Sequence, residues 1–124
     1  MLFRSAMSIF SEVIEEFQSQ YRAMLREAVD KVENVIVCTV YDSIPGYDKE
    51  PLTALKLFNE VILREAFSLG LQVIDLRLVC DQAGDYSSIS PIEPSEQGGD
   101  KITDMIMVMM AGNDPKSFRS VVWA

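Results

Sequence analysis

The stretch from Asp85 to Gly99, DYSSISPIEPSEQGG, holds the residues of this chain best placed to do acid–base chemistry. Glu93 lies between Pro91 and Pro94, two residues before Ser95. Histidine is absent from all 124 residues, which removes the commonest general base and the commonest metal ligand. Glu93 is the carboxylate to weigh for that role. An unperturbed glutamate titrates at about 4.3, roughly two units below a base poised for neutral pH. Burial would raise Glu93, whereas the positive end of a helix opening at Ser95 would lower it. The ordinary alternative is structural: a carboxylate accepting from the orphan amides of that helix.

The other polar candidates also have plain readings. Asp85 could orient a base, although a loop aspartate more often makes an Asx-turn. Asp75, inside VIDLR, could pair with Arg77 or reach across a sheet end, a structural use in either case. Gly98 and Gly99 could admit a phosphate at a helix start, but no strand feeds into them and close helix packing is the better account. The methionines at 105, 107, 109 and 110 fall at near-helical spacing and read as core.

The elements that would carry these residues alternate in period. Phe10, Val13, Ile14, Phe17, Tyr21, Met24, Leu25, Ala28 and Val32 recur at three- and four-residue steps, the stripe of a long amphipathic helix. Val35 to Tyr41, VIVCTVY, is a continuous run rich in β-branched residues and predicts a strand buried on both faces. DSIPGYDKEP then breaks regular structure, and Pro51 suits the first position of a second helix with the stripe Leu55, Phe58, Ile62, Ala66 and Leu69. Gly70 is a left-handed stop, and a second strand is expected from Leu71 to about Leu78. Val79 to Pro94 reads as a long loop, of a length that in a compact domain is usually either functional or mobile. Ser95 caps a third helix with Ile102, Met105, Ile106 and Met109 inward. The tail from Gly112 reads as a turn and a short extended piece.

A chain of this length suits one domain. Its formal net charge of −8 argues against nucleic acid and anionic membrane surfaces as partners. No apolar run approaches the roughly 20 residues of a membrane span, and the amino terminus lacks the order of a signal peptide, so the expected address is cytoplasmic. Cys38 and Cys80 sit beside apolar strand-like runs and are expected to be buried and reduced, a disulfide between them staying open. Helix-separated strands imply parallel pairing with helices on both faces. Two strands alone make a deficient sheet with open edges. In such sheets, ligands bind beyond the carboxyl ends of the strands, where both break-rich loops depart.

The run FNEVILREAFSLGLQVIDLRLVC, followed by DYSSISPIEPSEQGGDKI, resembles the carboxyl-terminal half of the SGNH (GDSL-type) esterase and lipase hydrolases. In that family a helix carrying an Asn, here Asn59, leads into a strand ending in a Val-Ile-Asp-Leu-like sequence. A loop with an Asp-x-x-His-Pro block then opens the final helix. The resemblance covers residues 9–111. It implies an α/β fold, a flavodoxin-like three-layer α/β/α sandwich with a parallel sheet, present here as a partial domain. On this view residues 1–8, beginning Leu-Phe-Arg-Ser after Met1, are a non-family leader left by a truncated gene call, and 112–124 are a tail.

In the last block the family's His aligns with Glu93, its Asp with Ser90, and its Pro with Pro94. The resemblance thus implies Glu93 as base, with Ser90 or Asp85 as orienter, in hydrolysis of carboxylic esters through an acyl-serine. Neither metal nor organic cofactor is implied, and the partner of the complete protein would be a small-molecule ester. The Gly-Asp-Ser-Leu and Gly-x-Asn-Asp blocks have no counterpart; Asn113-Asp114 stands after the last helix, out of place. The chain alone is therefore expected to be inactive. Two other classes remain: a non-catalytic binding module on the same scaffold, and an interaction protein that self-associates through the open sheet edge.

Overall fold

A computed structural model describes residues 2–112 and 119–124. Helix α1 (Leu2–Lys31) leads to strand β1 (Ile36–Cys38), helix α2 (Lys49–Ser68) and strand β2 (Gln72–Ile74). A four-residue helix α3 (Leu76–Val79), a 3-10 turn (Ala83–Asp85), helix α4 (Glu96–Gly112) and strand β3 (Val122–Trp123) complete it. The strands form one parallel sheet in the order β1-β2-β3.

The flavodoxin-like three-layer sandwich is not what forms. The strands have three, three and two residues, against helices of 30, 20 and 17, so the molecule is mostly helical around a small sheet. Side-chain chemistry at the carboxyl ends cuts both strands short. After Cys38, the Thr39 hydroxyl turns to Asp75 (2.8 Å), and the Val40 amide and carbonyl are both taken by the Asn59 carboxamide (2.8 Å each). After Ile74, Asp75 accepts from the Arg77 amide (3.2 Å) and caps α3. The run from Leu71 to Leu78 is therefore a strand followed by a helical turn. The third strand comes from the tail: Gln72 donates to the Arg119 carbonyl (2.7 Å) and accepts from the Trp123 indole (3.1 Å). The turn predicted after Gly112 lies over 113–118, outside the described residues.

Two apolar clusters sandwich β2. Val73 joins Val37, Leu25, Ile62 and Ala66 under α1 and α2, while Ile74 joins Leu76, Val79, Cys80, Tyr86 and the inward face of α4. Because α4 lies over β2 and β3, no residue of β1 belongs to the second cluster. Hence β1 is not buried on both faces as its β-branched run predicts: Val37 is buried, but Ile36 and Cys38 are exposed. The expectation of two buried thiols holds for Cys80 alone, and both are free. Likewise Met105 and Met109 of α4 face inward, whereas Met107 and Met110 are each 63% exposed.

The helix ends largely follow the sequence. Gly70 has φ +66; its amide and that of Leu71 return to Phe67 and Ala66 (3.1 and 3.0 Å) in a Schellman closure. Asp48 is the N-cap of α2, which puts Pro51 at the third helical position, still among the amides that need no intrahelical acceptor. Buried Glu65 of α2 clamps α1 by accepting from Arg22 (2.7 Å) and Gln18 (3.0 Å); the Arg22 hydrogen bonds hold its carboxyl below the usual range against the opposing effect of burial.

Candidate functional site

Two loops leave the carboxyl ends of the parallel strands. The first, residues 39–48, turns on Pro45 and on Gly46 at φ +79, with the Tyr47 amide donating to Ile44 (3.4 Å). The second, residues 80–95, is not the structureless loop its composition suggests. Tyr86 and Pro94 form an antiparallel bridge, the Ser87 amide donates to the Glu93 carbonyl (2.8 Å), and the Glu93 amide donates to the Ser90 carbonyl (2.9 Å). Pro91 sits second in this last turn, where its fixed φ is favoured.

A reciprocal pair of tyrosines joins the loops. Tyr41 of the first donates to the Ile92 carbonyl of the second at 2.5 Å. Tyr86 of the second accepts from the Ser43 amide of the first (3.0 Å) and donates to the Cys80 carbonyl (2.9 Å). The two rings meet edge to face, centroids 5.2 Å apart. Burial pushes the Tyr86 phenol up to about 12, and burial first, then Cys80 and Glu93, raises that of Tyr41.

The three sequence-predicted site residues have different fates. Glu93 is exposed beside the Tyr86–Pro94 bridge, and its carboxylate makes no hydrogen bond among the described residues. It does not cap α4: the Ser95 hydroxyl accepts from the Gly98 amide (3.1 Å) and donates to the Gly84 carbonyl (2.6 Å). Ser90 is tied to Glu93 through main chain, not through its hydroxyl. Asp85 is fully buried, accepting from Lys101 Nζ (2.8 Å), Gln97 (2.9 Å) and the Gln82 amide (3.0 Å). Burial pushes its carboxyl up, but these three donors together hold it below the usual carboxylate range. Both Asp85 oxygens are thus committed to the turn and to α4, and neither is turned to Glu93.

Asp75 takes both of the roles open to it, pairing with Arg77 (2.8 Å) and accepting from Thr39 across the sheet end. Gly98 is there for packing: a Cβ on it would stand 2.1 Å from the Asp85 carbonyl oxygen. Among the described residues, no group of three or more Cys, Asp or Glu side chains could hold a metal ion, and no helix is long and apolar enough to cross a membrane. Sequence reasoning did not single out Tyr41, Tyr86 or Lys101. Their only signal was placement in or beside the break-rich loops; the partners lie 51, 43 and 16 residues away.

No family model, curated protein or solved structure matches the chain.

Proposed function

We propose that this chain supplies the general base of a serine ester hydrolase of the SGNH (GDSL-type) kind. The nucleophile and oxyanion donors would lie on polypeptide outside these 124 residues. One observation carries the reading: Glu93 is presented on a backbone-pinned loop at the carboxyl ends of a parallel sheet, its carboxylate making no hydrogen bond among the described residues while Ser95 does the capping. A carboxylate free of structural duty is what proton abstraction needs. Glu93 would take the proton of the attacking serine hydroxyl and return it to the leaving alkoxide as the acyl-serine forms, then take a proton from the water that attacks the acyl-serine and return it to the serine oxygen as the carboxylic acid leaves. Asp85 does not orient it, being consumed by Lys101 and Gln97.

The open side of the sheet agrees with this arrangement. The Thr39 amide donates to Ile74, so by strand alternation Ile36 and Cys38 turn their amides and carbonyls away from β2, toward an edge unpaired among the described residues. Hydrolysis of p-nitrophenyl acetate by a reading frame that includes a nucleophile block tests the proposal. Glu93→Gln should lower kcat there by about 100-fold or more, and Glu96→Gln should not. Equal activity of wild type and Glu93→Gln would refute it.

A further inference from the structure

We propose that Tyr41 is the positioning residue for Glu93, holding the 87–94 turn against the exit of β1 through its bond to the Ile92 carbonyl. This rests on the reading of Glu93 as a base. The geometry is specific. Ile92 directly precedes Glu93, and the Glu93 amide and carbonyl are already bonded within the loop, to Ser90 and Ser87. Those bonds set the shape of the turn but not its place on the protein. Tyr41 provides the tie to the neighbouring loop (2.5 Å), and its own backbone is fixed one residue earlier, where Asn59, fully buried in α2, grips both polar groups of Val40. The path runs from helix core to strand exit to phenol to base. Tyr86 makes the opposite tie, from its own loop back to Ser43, and its ring packs on that of Tyr41, so the phenol of Tyr41 is aimed by contacts on both sides.

Tyr41→Phe keeps the ring and removes the tie, and amide hydrogen exchange of the full chain, read by NMR, reports the result. Exchange at Ser87 and Glu93 should quicken by about three- to tenfold, the scale of one neutral hydrogen bond, while Val73 and Asp75 in and beside β2 keep wild-type rates. Unchanged rates at Ser87 and Glu93 would overturn the proposal. So would equal quickening at Val73 and Asp75, which would make Tyr41 an ordinary core residue. A second variant leaves the tie in place: Glu93→Gln should lower the titration midpoint of the Tyr41 phenol, since it removes a nearby negative charge. No change there would place the carboxylate away from the phenol and count against the proposal even if Tyr41→Phe failed to fold. These readouts follow the loop and not hydrolysis, so the anchoring can fail while Glu93 is still a base, or hold while ester cleavage is absent.

Discussion

Replacing Asp85 by Asn would test how the second loop is held. The side chain is fully buried and accepts from an ammonium, an amide side chain and a backbone amide. An asparagine turns one acceptor into a donor that faces donors. Removing one member of a buried ion pair costs about 3–5 kcal/mol when the remaining charge is stranded. The Lys101 side chain is 34% exposed and can recover water, so a loss of about 2–3 kcal/mol is expected for Asp85→Asn. At about 4 °C per kcal/mol for a domain of this size, the midpoint of thermal unfolding should fall by roughly 10 °C at pH 7. The loss should also depend on pH. Because the folded state holds the Asp85 carboxyl below its ordinary 3.8, the stability it contributes is present above that value and disappears as pH falls through the folded one. Urea unfolding at pH 7 and about pH 3 should therefore show the gap between wild type and variant narrowing in acid. A variant within about 0.5 kcal/mol of wild type at pH 7, or a gap that does not narrow, would refute the account of this buried carboxylate.

Other perturbations separate local causes. Gly98→Ala should cost about 1–3 kcal/mol by forcing the Asp85 carbonyl away, whereas Gly99→Ala, with nothing within 4 Å of the added carbon, should stabilise by about 0.5–1 kcal/mol; chemical denaturation of the pair would show the opposite signs. Asn59→Ala strands the amide and carbonyl of Val40, and a loss of about 2–4 kcal/mol in urea unfolding is expected. Glu65→Gln should lower the denaturation midpoint more than Glu60→Gln does, because Glu65 is buried beneath Arg22 and Gln18 while Glu60 pairs with Arg64 on an exposed face.

What the sequence made legible was local. The stripes of α2 and α4, the Gly70 stop and the Ser95 cap depend on residues within about one turn of each other, so periodicity and capping chemistry suffice. The sheet was harder. An apolar run such as VIVCTVY carries strand propensity but not the fact that Asn59, 19 residues later, takes the Val40 backbone, nor that α4 leaves β1 uncovered. VIDLR looks like continuous strand until Asp75 turns to cap its own successor. The tail strand has two residues and no period to detect. At the candidate site, Glu93 was found from its prolines and its place before a helix, yet its freedom from capping duty appears only when Ser95 is seen to do that work. Asp85 looked like a loop aspartate and is a buried one, a distinction that rests on Lys101 across the loop.

The most direct measurement is to recover the genomic locus and sequence upstream of Met1. The account predicts a continuous reading frame carrying Gly-Asp-Ser-Leu and Gly-x-Asn-Asp blocks, to which Glu93 would be the base. A stop codon followed by an unrelated gene would contradict it and leave Glu93 a carboxylate with no serine to activate.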